Sequence, residues 1–246
     1  MNILFSCERI TRCYAGAPVV EDVDLALPRG GFVSLLGPSG VGKTTLFNVL
    51  ACVDRPDSGR VLLDGADITG MAGRVSYMPQ KDMLFAFRTT LDNVILPLVL
   101  RGMPRGQARQ RAASYFAQFG LSGCEGKYPS QLSGGMRQRA ALLRTCLMDN
   151  PVILLDEPFS ALDAITRYQM QAWVMEIARS MELSVLFITH DVEEAVTLSD
   201  TIYIMTGCPG RITATVDIPQ PRPRGRDFTT SPAFASLKGR VLDAIG

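Results

Sequence analysis

The chain has 246 residues, of which 47% are hydrophobic, and this length and composition allow one or two domains with a hydrophobic core. Its 25 basic and 24 acidic residues leave a net charge of +1. This near-neutral balance provides no general positive field, so we expect no nucleic-acid partner. No apolar run approaches the roughly 20 residues of a membrane-spanning helix, and the first residues lack the pattern of a secretory signal, so we expect a protein of the cytoplasm.

The first third of the sequence reads as short strands around one glycine-rich loop. Alternating or continuous apolar residues predict strands at 3–7, 23–27 and 32–36. Tyr14 falls in the turn region between the first two strands. Its ring suits either stacking on an adenine or covering the edge of a sheet, and the sequence does not decide between these roles.

The residues after 32–36 match the phosphate-binding P-loop, G-x-x-x-x-G-K-[ST], and helical sequence follows at 46–50. Glycines allow backbone amides to approach phosphate oxygens, and the helix N-terminus adds partial positive charge. Lys43 offers a mobile cation for the outer phosphates and Thr44 a hydroxyl for Mg²⁺. The alternative, a plain glycine turn with a solvated lysine, is disfavoured by the strand–loop–helix context. The candidate nucleotide-binding residues of this loop are Gly37, Pro38, Ser39, Gly40, Val41, Gly42, Lys43, Thr44 and Thr45.

The middle of the chain changes from strands to helices. Strands are predicted at 60–63 and 74–78, and Gln80 follows the second of them closely. From about 81 to 150 the pattern is helical, and apolar residues at helical spacing predict a helix at about 104–119. Six cysteines are scattered along the chain without a C-x-x-C pair or metal spacing, so we expect buried thiols rather than disulfides.

The second half alternates buried strands with helices. An unbroken apolar strand at 151–155 ends in Asp156 and Glu157, and a second at 184–189 ends in His190. The remaining predicted elements are a helix that Ser133 caps, a long helix that Asp163 caps, a helix at 191–198, strands at 201–205 and 211–216, a Pro/Arg-rich tether at 219–226 and a terminal helix at 232–244.

This order of elements predicts an α/β fold with a mostly parallel sheet, in which ligands bind beyond the carboxyl ends of the strands. The P-loop, Gln80, the pair Asp156 and Glu157, and His190 each follow a different predicted strand. We therefore expect these four segments to meet at one edge of the sheet.

Taken together, these residues resemble the ATP-binding subunits of ABC transporters over essentially the whole chain. The resemblance implies one ATP-binding domain over 1–246, with a P-loop NTPase fold. That fold has a mostly parallel central sheet, an antiparallel N-terminal β subdomain, an inserted helical signature subdomain at about 81–150 and a short C-terminal tail at about 219–246. The residues that carry the resemblance are the P-loop, Gln80, Leu132-Ser133-Gly134-Gly135, the stretch 152–157, Ser160-Ala161-Leu162-Asp163 and His190.

The resemblance also implies a role for each site residue. Two such chains, identical or merely similar, would sandwich two ATP molecules, each between the P-loop of one chain and the Ser-Gly-Gly of the other. Met136 departs from the commonest family pattern, which has Gln there, whereas the phosphate-facing groups are unchanged. The implied roles are Mg²⁺ binding for Thr44, Gln80 and Asp156, catalysis for Glu157 as general base with Gln80 and His190, and nucleotide or partner contacts for Tyr14, Ser133, Gly134, Gly135 and Asp163.

The segment 81–88 is apolar and predicted to form a loop. In the family this region docks a membrane permease, while packing into the core is the alternative. Residues 132–139 and 207–212 look most like the importers of nitrate, sulfonates, taurine and thiamine precursors. We therefore expect an import ATPase at the cytoplasmic face of the membrane, with permease subunits and an extracytoplasmic substrate-binding protein. An export ATPase and a soluble nucleotide switch are the alternatives.

Overall fold

A computed structural model describes residues 2–160 and 162–246, and in it the chain forms two sheets with helices packed against them. The strands are β1 Ile3–Tyr14, β2 Ala17–Pro28, β3 Phe32–Leu36, β4 Ser58–Leu63, β5 Ala66–Asp67, β6 Ser76–Met78, β7 Val152–Asp156, β8 Ser184–Thr189, β9 Thr201–Thr206 and β10 Arg211–Asp217. The helices are α1 Lys43–Leu50, α2 Thr90–Val94, α3 Leu96–Leu100, α4 Arg105–Phe116, α5 Gly134–Cys146, α6 Ala164–Ser180, α7 Val192–Leu198, α8 Arg226–Thr229 and α9 Pro232–Ile245.

The first sheet is antiparallel, with the strand order β2-β1-β4-β5. Its long hairpin, β1 with β2, extends well beyond the predicted strands 3–7 and 23–27, and Tyr14 is the last residue of β1. Register shifts interrupt the pairing, and Arg9 and Asp22 have positive φ. Such bulges break the alternation of apolar and polar residues, which is why the pattern underestimates the strands.

The second sheet has the order β10-β9-β3-β8-β7-β6. The five strands from β9 to β6 are parallel, and only the edge strand β10 pairs antiparallel. The predicted mostly parallel sheet is thus confirmed. Every residue of β3, β7 and β8 is buried, as expected for strands covered on both faces.

The two faces of this sheet pack against different partners. On one face, Ile153 and Leu155 of β7 belong to a core cluster with residues of helices α2 to α6. On the other face, Val152 and Leu154 pack with α1 and with the antiparallel sheet. The P-loop helix is therefore held between the two sheets.

The helices α2 to α5 lie in the chain between β6 and β7. The apolar run 93–100 forms two short helices, with Pro97 in the first turn of α3. Asn93 is fully buried, and its amide donates to the carbonyls of Phe85, Arg88 and Thr89. This one side chain fixes the end of the exposed loop before α2.

The prediction of a tether at 219–226 is wrong. Arg222 makes two hydrogen bonds to the carboxylate of Asp200, and Arg224 is buried against backbone carbonyls. These contacts join residues far apart in sequence, so composition alone does not reveal them. Among the described residues, no helix is both long and apolar enough to cross a membrane.

All six cysteines are free thiols. Four of them are buried as predicted, while Cys13 is only partly covered and Cys208 is exposed. Burial raises the pKa of the Cys7 and Cys146 thiols, which keeps them in the neutral, unreactive form.

Candidate active site

Four segments meet at the carboxyl edge of the parallel sheet. The P-loop follows β3, His190 follows β8, Asp156 ends β7 and Gln80 lies two residues after β6. These strands are consecutive in the sheet order, so their ends are neighbours. The convergence that the sequence predicts is therefore present.

The P-loop is shaped by glycine at the places where the chain needs it. Gly40 and Gly42 have φ of 83° and 108°, and a Cβ at Gly37 would collide with the carbonyl oxygen of Met205. The ammonium of Lys43 is buried and donates to the carbonyls of Gly37 and Pro38 at 2.7 and 2.8 Å. Burial lowers the pKa of Lys43, while the carboxylates of Glu157 and Asp156 act in the opposite direction.

Asp156 is a buried carboxylate surrounded by hydroxyl groups. Its Oδ2 atom accepts a hydrogen bond from Thr44 Oγ1 at 3.1 Å and a longer one from Tyr77 at 3.4 Å. Burial raises the pKa of Asp156, the Thr44 hydrogen bond opposes that rise, and the negative charge of Glu157 adds to it. Tyr77 was not a sequence candidate, because one aromatic residue in a strand gives no sign that its hydroxyl faces a site.

Glu157 lies between Gln80 and His190. Gln80 Nε2 donates to Glu157 Oε2 at 2.9 Å, and His190 Nδ1 lies 3.4 Å from Glu157 Oε1. Glu157 has a φ of 47°, an uncommon backbone conformation for a residue with a side chain. Glu157 contacts both of the other residues predicted to take part in catalysis.

Ser133, Gly134, Gly135 and Asp163 form a separate group at the starts of two helices. Ser133 caps α5 by accepting from Met136 N, and Asp163 caps α6 by accepting from two backbone amides. A Cβ built on Gly135 would lie 3.6 Å from Thr166 in α6, so the two helix starts are adjacent. Within the described residues, no side-chain hydrogen bond or ion pair joins this group to the P-loop. The side chain of Met136 packs against the core.

Tyr14 lies at the turn of the long hairpin, where it pairs with Ala17. Its hydroxyl donates to Asp54 at 2.9 Å, and the guanidinium of Arg12 lies 4.7 Å from the ring centre. The residue is 44% exposed and is therefore accessible to a partner. Adenine stacking by Tyr14 stays a prediction.

The residues present fit a nucleoside triphosphate with Mg²⁺. Open space lies beside Gly40, where a phosphate can approach the backbone amides of the loop, and Lys43 supplies a cation. The Thr44 hydroxyl and the Asp156 carboxylate are the hard oxygen ligands that Mg²⁺ prefers. The part of the chain that the structure describes has no cluster of three His, Cys, Asp or Glu arranged for a metal. A cation here would thus depend on phosphate and water oxygens as well, as is usual for Mg²⁺.

Comparison with known proteins identifies the family of the chain. Residues 20–160 match the family model described as ABC transporter. The chain is 40% identical over 207 residues to the formylaminopyrimidine import ATP-binding protein ThiZ of Halalkalibacterium halodurans, covering 84% of this chain and 81% of that protein. It is 42% identical over 232 residues to the aliphatic sulfonates import ATP-binding protein SsuB 1 of Rhodococcus jostii, covering 94% and 89%.

The fold also matches a solved structure. A dimeric post-hydrolysis state of an ATP-binding cassette, bound to ADP and Pi, superposes with a TM-score of 0.77 at 27% identity. The match covers 90% of this chain and all of that cassette. The predicted family and the P-loop NTPase fold are thereby confirmed. The chain belongs to the ABC transporter family, as an ATP-binding and ATP-hydrolysing cassette.

Proposed function

We propose that this cassette powers the import of a small organic or inorganic ion, such as nitrate, a sulfonate, taurine or a thiamine precursor. The main support for the ATPase function is a set of contacts at one edge of the sheet. There Thr44 contacts Asp156, and Glu157 contacts Gln80 and His190. Two relatives named for import of a formylaminopyrimidine and of aliphatic sulfonates support the direction and the substrate class. We further propose that residues 1–246 form one domain, with the helical part at about 81–150 inserted and a tail at about 219–246.

Each site residue has a role in this proposal. The P-loop amides and Lys43 bind the phosphates, and Thr44, Gln80 and Asp156 hold Mg²⁺. Mg²⁺, when bound, neutralises charge on the phosphate oxygens. Glu157 orients the attacking water and accepts its proton, a role worth about 10²–10⁴ in rate. His190 contacts the γ-phosphate, and Tyr14 stacks on the adenine.

The second half of each nucleotide site comes from a second copy of the chain or a similar one. Ser133, Gly134 and Gly135 lie at the start of the 13-residue helix α5, where backbone amides and the helix dipole favour an anion. Asp163 lies at the adjacent start of α6. In the proposed sandwich, Ser133, Gly134 and Gly135 face the γ-phosphate held by the partner's P-loop, and Asp163 contacts the partner chain.

The apolar loop 81–88 is proposed to dock the permease. Phe87 is 74% exposed, and Phe85 packs against it at 5.5 Å between ring centres. Arg88 lies over both rings, and Asn93 holds the loop backbone from the core side. The exposed apolar rings of a loop that the buried Asn93 holds in place favour a binding site for a partner over packing into the core.

This surface supports the further proposal that the cassette lies at the cytoplasmic face of a membrane. It would there be bound to permease subunits that receive solute from an extracytoplasmic substrate-binding protein. None of these partners is needed to complete the nucleotide site, so partner binding and ATP hydrolysis are separable in experiment.

The test is affinity purification of the tagged protein from its native membranes, followed by mass identification of the partners. Phe87→Asp should release the permease, whereas Leu100→Asp should not. Leu100 is the control because it is an apolar residue outside the loop 81–88 and is 77% exposed, much as Phe87 is. Recovery of a permease and a binding protein supports import. A permease alone would favour export, and no membrane partner would favour the soluble nucleotide switch.

A further inference from the structure

A cluster of charged groups joins the loop before α6 to the turn that carries His190. Arg167 lies near the start of α6, and its Nη2 atom donates to the carbonyl of Leu162 at 3.1 Å. Its Nη1 atom lies 3.6 Å from Asp191 Oδ2, and its Nε atom 3.8 Å from Glu194 Oε1. One guanidinium therefore touches both segments.

The two carboxylates that face Arg167 are themselves held in place. Glu194 is buried, and it accepts from Thr189 Oγ1 at 2.6 Å and from Gln171 Nε2 at 3.2 Å. Asp191 caps α7, and its backbone amide donates to Thr189 Oγ1 at 3.0 Å. His190 is thus flanked on both sides by residues of this cluster.

A small cavity lies inside the cluster. Its volume is about 20 Å³, and polar residues line it, among them Glu157, Arg167 and His190. Arg167 Nε is buried and, within residues 2–160 and 162–246, has no hydrogen-bond partner. The cavity has room for one water molecule beside Arg167 Nε. The cavity connects Arg167 to the same space that Glu157 and His190 border.

The side chain of His190 is itself only loosely held. It is 55% exposed, and among the described residues its one ion-pair contact is with Glu157 at 3.4 Å. Its location therefore depends on the backbone between Thr189 and Asp191, which Arg167 ties to Leu162. Leu162 directly precedes Asp163, which contacts the partner chain in the proposed sandwich.

We propose that Arg167 is a positioning residue that places His190 relative to Glu157, and that it links this placement to the loop bearing Asp163. The inference rests on the roles proposed above for Glu157, His190 and Asp163. It assigns to Arg167 no contact with the nucleotide. Its loss should therefore lower the rate of hydrolysis while leaving nucleotide binding in place.

The test compares three variants of the full chain, Arg167→Ala, Arg167→Lys and Arg179→Ala. Arg179 is the matched control because it is an exposed arginine near the far end of the same helix. ATP turnover gives kcat and KM, and calorimetry with ADP measures nucleotide affinity on the same samples. We expect Arg167→Ala to lower kcat about 10- to 100-fold, since small misplacements of reacting groups have effects of this size. KM and ADP affinity should stay within about twofold.

Arg167→Lys should give an intermediate kcat, because lysine keeps the charge but not the fork that reaches two segments. Arg179→Ala should behave as wild type. A double-mutant cycle adds a readout that general loosening of the fold would not reproduce. In a His190→Ala background, Arg167→Ala should change kcat by less than about twofold, because Arg167 acts through His190.

Several outcomes would overturn the proposal. An unchanged kcat in Arg167→Ala would do so, as would a parallel loss of ADP affinity or full additivity with His190→Ala. A wild-type protein that binds ADP but never hydrolyses ATP would instead refute the proposed function, and this inference with it.

Discussion

Arg224 provides the sharpest test of how the C-terminal segment is held. Its guanidinium donates to five backbone carbonyls, which belong to Val196, Thr197, Ser199, Ile218 and Gln220. The first two lie at the end of α7, where carbonyls lack partners within the helix. Arg224 is only 9% exposed, so we predict that Arg224→Ala destabilises the fold substantially.

The size of the effect follows from the contacts. The bonds to Ser199 at 2.7 Å and from Nε to Gln220 at 2.9 Å are short and charge-assisted. At about 1.5 kcal/mol each, the lower end of the range for charged donors, they give about 3 kcal/mol. The bond from Nη2 to Gln220 shares its acceptor with the Nε bond, and the bonds to Val196, Thr197 and Ile218, at 3.1–3.4 Å, are longer and weaker, so both contribute less. For a chain of this length, 3 kcal/mol corresponds to a fall in Tm of about 6–12 °C.

The assay is thermal unfolding followed by circular dichroism, with Arg226→Ala as the matched control. Arg226 is an exposed arginine two residues away, so its loss should shift Tm by about 2 °C at most. Arg224→Lys should recover part of the stability, since lysine donates fewer bonds. A fall below about 2 °C in Arg224→Ala would refute the reasoning, and so would an equal fall in the control.

Four further predictions concern the nucleotide site. Lys43→Ala should weaken ATP binding about 10- to 100-fold in calorimetry, which corresponds to the loss of one or two charge-assisted hydrogen bonds. Unchanged affinity would count against phosphate binding by Lys43. Glu157→Gln should bind ATP and form dimers by light scattering, while hydrolysis falls about 10²–10⁴-fold; near-normal turnover would remove Glu157 from the role of base. Burial raises the pKa of Asp156, so ionisation of this group opposes folding above its unfolded pKa. Asp156→Asn should therefore have a higher Tm than wild type at pH 7, with the gain vanishing below about pH 4, and a lower Tm at pH 7 would contradict this sign. Gly37→Ala should cost about 1–3 kcal/mol in urea unfolding, because its Cβ meets the carbonyl of Met205, whereas Gly126→Ala, which has open space, should be neutral.

The parts of the fold that could be predicted from sequence are those with a local cause. The strands β3, β7 and β8 are unbroken apolar runs because both faces are covered. Ser133 and Asp163 are helix caps by residue type, and both cap helices in the structure.

The parts that could not be predicted depend on partners distant in sequence. From the sequence, the segment with Arg222 and Arg224 is predicted to be a solvated linker. In the structure, Arg222 contacts Asp200 and Arg224 contacts the end of α7. Asn93 anchors the 81–88 loop through carbonyls that no local pattern identifies. In the sequence, Arg167 is an ordinary basic residue of a helix, and only the structure shows that Asp191 and Glu194 face it.

The candidate site shows the same division. Motif spacing predicted that the P-loop, Asp156, Glu157 and His190 converge, because strand ends in a parallel sheet lie at one edge. The contact of Tyr77 with Asp156 depends on which way a strand residue faces within the sheet, and a three-residue strand carries too little pattern to show it.

The measurement that tests the central claim most directly is complementation between two inactive variants. Lys43→Ala disables the P-loop, and Ser133→Arg blocks the start of α5, where Ser133 is exposed and a larger side chain leaves the core intact. Each variant alone should hydrolyse ATP at background level, because both sites of its dimer are incomplete. An equal mixture should regain activity, since each mixed dimer contains one complete site. A mixture as inactive as its parts, beside an active wild type, would contradict a nucleotide site shared between two chains.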